Sequence, residues 1–288
     1  FYLIISGVIN AVLNMILVIF FHMAVEGVAI ATVISQLISC ILVLRCLYRS
    51  EGSYQLRFSK LTMKKAYLMQ IFQVGVPAGI QSTVINFSNA LLQSSVNSFG
   101  SVAMAGYTAA NNILGFLYVS INAVTQACMS FTSQNYGVGK YKRMDKVLID
   151  CLILSVIVGG VLGCGAYFGG SPILSIYTED PEVIKAGLEI LSITTVPYFL
   201  CGIMDSLVGG LRGIGYSFAP MVVSLMGACV FRLIWIWGLF AVNPNAPITA
   251  VYISYPISWA LTAAVHAVCF VVLLKKVKKK YPENQIEG

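Results

Sequence analysis

What most constrains this chain is the repeated return of long apolar stretches, each near or above the roughly 20 residues a helix needs to cross a bilayer core. Eight are read, at Tyr2 to Phe21, Val25 to Leu47, Val74 to Phe99, Met104 to Phe131, Val147 to Phe168, Ala186 to Val208, Pro220 to Ala241 and Thr249 to Leu274. Only 10% of the 288 residues are charged, where a soluble domain carries about 25%, and mean hydropathy is +0.84. Lipid offers backbone N–H and C=O groups no partner, so segments of this length cross as helices. The expected fold class is an all-α integral membrane protein with eight transmembrane helices.

The formal charge of +7 is distributed as membrane topology requires, and no nucleic-acid partner is implied. Arg45, Arg49, Arg57, Lys60, Lys64 and Lys65 lie between spans two and three, and Lys140, Lys142, Arg143 and Lys146 between four and five. Arg212 lies between six and seven, and Lys275, Lys276, Lys278, Lys279 and Lys280 come after span eight. With alternating helices all of these share one side, whereas the opposite loops hold Lys185 with Glu26, Glu179, Asp180 and Glu182. Cytoplasmic loops carry the excess of Lys and Arg, so both ends of the chain are expected in the cytoplasm. The basic tail then meets anionic membrane lipid.

Residue 1 is Phe and a span begins at once, so a piece of a longer protein is expected. A weak repeat agrees with this: Ile34-Ser35-Gln36-Leu37-Ile38-Ser39 matches Ile253-Ser254-Tyr255-Pro256-Ile257-Ser258 at an offset of 219, and Gly7 matches Gly227 at 220. Spans one and two then correspond to spans seven and eight of a six-helix unit. The division is 1–47, the last two helices of an N-terminal six-helix lobe; 48–73, a basic cytoplasmic linker; 74–274, a complete C-terminal six-helix lobe; and 275–288, a basic cytoplasmic tail. Within the linker, Lys64 to Phe72 is read as a short interfacial helix. Repeats of this kind build secondary transporters, with substrate and ion sites between the halves.

Span three carries no charge, yet Ser82, Asn86, Asn89, Gln93 and Asn97 recur every three or four residues. At roughly 100° per residue they fall within an arc of about 80°, one polar stripe on an otherwise apolar helix. Hydrocarbon does not solvate such a stripe. It faces a cavity or serves as helix-helix glue, and five aligned polar groups exceed what one contact needs. Span four repeats the theme with Asn111, Tyr118, Asn122 and Gln126 on one face.

Span six holds the acid flanked on both sides by apolar sequence, Asp205. A carboxylate there costs about 2.5–3.5 kcal/mol on insertion scales, so it needs a partner or a task. One reading is a proton or ion carrier, with Tyr198 on the same face; the other is a salt bridge to Arg232, the arginine deep in span seven. Span eight places Tyr255, Trp259 and His266 on one face, the aromatics suited to organic cations and the histidine to packing or to proton relay. Trp235 and Trp237 are read as belt residues. The ion-coupling candidates are thus Asp205, Tyr198, Arg232 and His266, and the cavity candidates add Tyr255 and Trp259 to the two stripes.

Other chemistries find less support. The loop QNYGVGKYKR lacks the spacing of a phosphate-binding P-loop. The eight cysteines are scattered without a CxxC pair and are read as small packing residues. No nucleophile, base and orienting group cluster as an enzyme would require. The glycines of span five, Gly159, Gly160, Gly163 and Gly165, are read as close-packing positions.

Several motifs in order resemble the multidrug and toxic compound extrusion (MATE) transporters: GVINAVLN at 7–14, VEGVAIATVISQ at 25–36, GVPAGIQ at 75–81, QNYGVGKYKR at 134–143, and Asp205 with LRGIGYS at 211–217. The resemblance covers essentially the whole chain, from the family's fifth helix to its end. It implies two six-helix lobes about a central cavity and export of small cationic amphipathic drugs by alternating access. Entry of H+ or Na+ would drive it, with no other cofactor, in a full-length monomer of the bacterial inner membrane. Asp205 stands where the family pattern places a cation site. Two positions depart: Ile85 where some members carry glutamate, and Asn14 where many carry aspartate. A flippase of lipid-linked oligosaccharide is the alternative in the same superfamily.

Overall fold

The computed structural model describes residues 2–51, 55–58, 62–243 and 246–280. The described residues form helices without strands: α1 Tyr2–Phe20, α2 Val25–Arg49, α3 Lys65–Asn97, α4 Ser101–Gly137, α5 Tyr141–Phe168, a short α6 Gly170–Leu174, α7 Pro181–Thr194, α8 Tyr198–Gly213, α9 Phe218–Val242 and α10 Ile248–Lys280. Helices α1 and α9 each contain a π-type turn, at Ile16–Phe20 and Leu225–Val230. Seven of these helices are long and apolar enough to cross a membrane.

The expected sixth span, Ala186 to Val208, is not one helix. It falls on α7 and α8, which meet at an angle of 54°. Pro197 explains the break, since it lacks an N–H and its ring crowds the carbonyl four residues back. The hydroxyls of Thr194 and Thr195 donate to the carbonyls of Ile190 and Leu191, at 2.7 and 2.6 Å, a local bonding that bends helices. A second correction concerns Lys64 to Phe72. No breaker separates this segment from Gln73 and Val74, and from Lys65 onward it is the first part of the 33-residue helix α3 rather than an interfacial helix of its own.

The chain forms two compact units, 1–65 and 66–288. Of the expected linker 48–73, residues 65–73 belong to α3, and 52–54 and 59–61 lie outside the described residues, as does the tail beyond Lys280. In the first unit the Ser6 hydroxyl donates to the Ser35 carbonyl at 2.6 Å, joining α1 to α2. The serines of the repeat, Ser35, Ser39, Ser254 and Ser258, are all buried. Gly7 and Gly227 differ: the first has open space, the second lies against Thr262.

The second unit is built around α8, which packs between α4 and α5 and also meets α10. Small residues make this possible. A Cβ on Gly209 would stand 2.7 Å from the Thr125 carbonyl oxygen, and one on Gly213 2.7 Å from the Thr132 side chain. From α5, Gly163 approaches the bend so closely that a Cβ would collide with the Thr195 carbonyl oxygen, and Gly159 lies against Phe199. Gly160 and Gly165 face open space, so only half of the span-five glycines are close-packing positions. At one end of the bundle Lys278 on α10 pairs with Asp145 on α5.

Gly163→Val therefore has to push the bend away from α5. Overpacking costs about 1–3 kcal/mol, so the thermal unfolding midpoint in detergent should fall by several degrees, whereas Gly160→Ala should leave it unchanged.

Candidate functional site

The site begins with how α8 is held. The Ser155 and Ser206 hydroxyls are 2.7 Å apart and buried, tying α8 to α5. Cys128 on α4 donates its thiol to the Ser206 carbonyl at 3.4 Å, and the Tyr198 hydroxyl donates to the Leu114 carbonyl at 3.1 Å. Asp205 is thus carried on a helix fixed from two sides, next to one of its anchors.

Asp205 itself is half-buried and makes no hydrogen bond or ion pair with any described residue. The groups whose fields interact with it are Arg212, Tyr198 and Cys201 on its own helix and Tyr118 on α4, with Asn122 close to Tyr118. Gln126 donates to the Asn122 amide oxygen at 3.4 Å. A carboxylate among hydroxyl and amide oxygens has the donor set preferred by a hard cation, and an unpartnered carboxyl can equally carry a proton.

The salt bridge between Asp205 and Arg232 is not formed. Arg232 is 4% exposed; its Nε donates to the Ser258 hydroxyl at 2.8 Å, and its guanidinium carbon lies 4.3 Å from the Tyr255 ring centroid and 6.0 Å from that of Trp259. Aromatic faces here take the role of a counter-ion, worth about 2 kcal/mol when desolvated. His266 is also elsewhere. It is fully buried, its Nε2 stands 3.0 Å from the Ser224 hydroxyl, and its Nδ1 has no partner. The four ion-coupling candidates therefore do not converge: Tyr198 is near Asp205, whereas Arg232 and His266 are held by serines on or facing α10.

Three of the five stripe residues of α3 border one space. Asn86, Asn89 and Gln93 line a space of about 260 Å3 together with Ala90, Asn111, Tyr107 and Tyr255. The Tyr107 and Tyr255 hydroxyls are 3.1 Å apart and close one wall. Ser82 and Asn97 do not line this space; Asn97 lines a second cavity of about 570 Å3 with Thr108, Asn112 and Tyr177. Trp259 is buried behind the wall, edge-on to both Tyr255 and Tyr198 with ring centroids 5.9 and 5.5 Å apart. Tyr118, Asn122 and Gln126 belong with Asp205 rather than with this cavity. Tyr107 escaped the pattern reading, although it stands one turn before Asn111 and so on the same face of α4.

Two further residues were not foreseen as site residues. Arg212 Nη2 donates to Gln81 Oε1 at 2.9 Å, tying the LRGIGYS segment to GVPAGIQ. The turn that presents Arg212 depends on Gly215, which has φ +85°; the Gly215 and Tyr216 amides donate to the carbonyls of Arg212 and Leu211, at 2.9 and 3.0 Å, and stop the helix. Ser217 then donates to the Val74 carbonyl at 2.9 Å.

Comparison with known proteins agrees with this architecture. Residues 77–237, more than half of the chain, match the MatE family, and the chain belongs to it. It is 28% identical over 276 residues to the probable multidrug resistance protein YoeA of Bacillus subtilis (strain 168), covering 90% of this chain and 58% of that one. To the multidrug export protein MepA of Staphylococcus aureus (strain NCTC 8325 / PS 47) it is 24% identical over 282 residues, covering 97% and 61%. An outward-facing multidrug resistance MATE transporter of the MOP superfamily shares the fold, with a TM-score of 0.87 at 17% identity, over 95% of this chain and 61% of that one. The chain thus spans less than two thirds of the length of each.

Because Asp205 has no hydrogen-bond or ion-pair partner among the described residues, its replacement removes no ion pair seen there. Breaking a buried pair costs about 3–5 kcal/mol; Asp205→Asn should instead leave the unfolding midpoint unchanged or raise it, and a fall of several degrees would reveal a pair with Arg232 or Arg212.

Proposed function

We propose that this chain forms the greater part of a drug exporter that couples the exit of small organic cations to the entry of H+ or Na+ by alternating access. The observation that carries the reading is the pairing of an unpartnered membrane carboxylate, Asp205, with a separate amide-lined and tyrosine-lined cavity on the same helical unit. Transport of one species against another needs two sites of different chemistry in energetic contact, and here one suits a cation or proton and the other an amphipathic organic molecule. The multidrug names of the bacterial relatives support the substrate class, and membership of the MatE family favours transport over an enzymatic reaction.

Asn86, Asn89, Gln93, Asn111 and Tyr255 would hold the compound, the amides through hydrogen bonds and Tyr255 through its ring. Asp205 would hold the ion, with Tyr118 and Asn122 as neutral oxygen donors. Arg232 and Trp259 would stiffen the cavity wall, and Tyr198 would orient α8. We place the protein in a bacterial cytoplasmic membrane as a monomer, its basic segments and C-terminus on the cytoplasmic side in contact with anionic lipid.

Dye efflux from cells expressing the protein as its gene encodes it, under separately imposed sodium and proton gradients, tests the reading. One gradient should drive efflux, and Asp205→Asn should abolish it while membrane insertion persists. Efflux that tracks neither gradient, or that survives in the variant, would remove ion coupling through Asp205. Asn89→Leu should weaken hydrogen-bonding substrates by about fivefold, a lost bond being worth about 1 kcal/mol, with little change for purely apolar dyes. An equal loss for every dye at normal expression would mean that Asn89 serves packing.

A further inference from the structure

Arg212 is a cation with unfinished bonding. Its Nη2 is engaged by Gln81, yet its Nε is buried and has no partner. It stands two turns beyond Asp205 on the same face of α8, and its charge acts on that carboxylate. What keeps the guanidinium on the α3 side is the Gln81 carbonyl oxygen, from a side chain only 7% exposed. The remaining charged or titratable groups near this pair are Tyr198 and Cys201 on α8 and Tyr118 on α4, with His266 on α10 facing Arg212. Arg212 is thus a cation whose field reaches Asp205 from two turns away, and an uncharged amide on another helix decides how it is directed.

Helix α3 is suited to vary that hold. It packs less closely against its neighbours than the other long helices of its unit. Its tethers are side-chain bonds: Gln81 to Arg212, the Val74 carbonyl to Ser217, the Val84 carbonyl to the Cys229 thiol at 3.8 Å, and a small apolar contact of Leu92 with Ile236 and Val251. Pro77 interrupts the backbone ladder one turn before Gln81, and Gly75 and Gly79 have no atom within 4 Å of where a Cβ would stand. The same helix carries Asn86, Asn89 and Gln93 along the cavity. A body bound against those amides therefore bears on the helix that restrains Arg212.

We propose that Arg212, held by Gln81, is the positioning residue that sets the ion affinity of Asp205 according to where α3 stands, so that an organic compound on the α3 amides promotes release of the ion. This rests on the reading of Asp205 as the ion site. When α3 moves outward, Gln81 leaves Arg212, and the guanidinium, already short of one acceptor, turns to the Asp205 carboxylate and displaces the cation or proton. The linkage is reciprocal: ion binding draws Arg212 back to Gln81 and favours the α3 position that excludes the compound. Exchange of the two ligands then needs no direct contact between their sites.

The test is the half-saturating concentration of the driving ion in proteoliposomes of the protein as its gene encodes it, with and without a bound dye. Gln81→Leu frees the guanidinium and should raise that concentration by about tenfold, the size of effect a neighbouring opposite charge has on a carboxylate. Arg212→Gln removes the competitor and should lower it, the double variant should behave as Arg212→Gln does, and Gln81→Glu, which retains an acceptor, should stay near wild type. Dye should raise the half-saturating concentration in wild type but not in Arg212→Gln. A purely structural role would reduce yield or turnover without moving ion dependence in opposite directions. Unchanged ion dependence in Gln81→Leu, or a shift to the same side as Arg212→Gln, overturns the proposal. If Asp205→Asn is inactive while Gln81→Leu is unshifted, this inference alone fails; if Asp205→Asn still responds to the ion gradient, the assignment of the ion site fails with it.

Discussion

The close seating of α8 between α4 and α5 is the contact on which the rest of the second unit depends. It exists because glycines at 209 and 213 leave no side chain between the backbones, and because the serine pair 155 and 206 satisfies its own polarity inside the contact. In a membrane, association between helices cannot rely on apolar transfer, since lipid is as apolar as leucine. Backbone proximity and buried hydrogen bonds replace it. The consequence is an Asp205 whose backbone is fixed from both sides while its carboxylate is left without a partner. Tyr198 adds to the fixation through the Leu114 carbonyl, and the bend at Pro197 lets α7 leave the line of α8 without losing the seat against Gly163.

The second constraint is the cost of charge in a low-dielectric interior. Asp205 and Arg232 would reduce each other's cost by pairing, and the molecule instead keeps them apart. Arg232 is satisfied by one hydroxyl and two aromatic faces, which allows it to brace Tyr255 at the edge of the cavity. Asp205 retains its electrostatic cost. A group held in that condition on a rigid helix responds to small changes nearby, and Arg212 is the group best placed to make them. Helix α3, tethered by side chains and not by close backbone packing, supplies a movable contact next to a fixed one.

Much of this was legible from residue pattern. Of the uncharged stripe Ser82, Asn86, Asn89, Gln93 and Asn97, which lipid does not solvate, three residues line one space. Asp205 was conspicuous for the same reason. Pattern failed where a side chain chooses between acceptors in space. A salt bridge between Asp205 and Arg232 was one of the two readings open from the pattern, whereas Arg232 stacks on Tyr255. Gln81 stood inside the GVPAGIQ motif without any local signal that an arginine 131 residues away would bind it.

The sequence by itself determined that the chain crosses a membrane as helices, because no other backbone arrangement of these apolar stretches satisfies its own hydrogen bonds in lipid. It also determined which residues could not face lipid. Tertiary structure alone decided how those residues were divided: Tyr118 and Asn122 to the carboxylate, Asn111 and Tyr255 to the cavity, Arg232 to its aromatic bed, and Arg212 to Gln81. Helical periodicity assigns a face to each side chain, but the partner opposite that face is set by helix bends and by close approaches at glycine, which depend on contacts between distant parts of the chain.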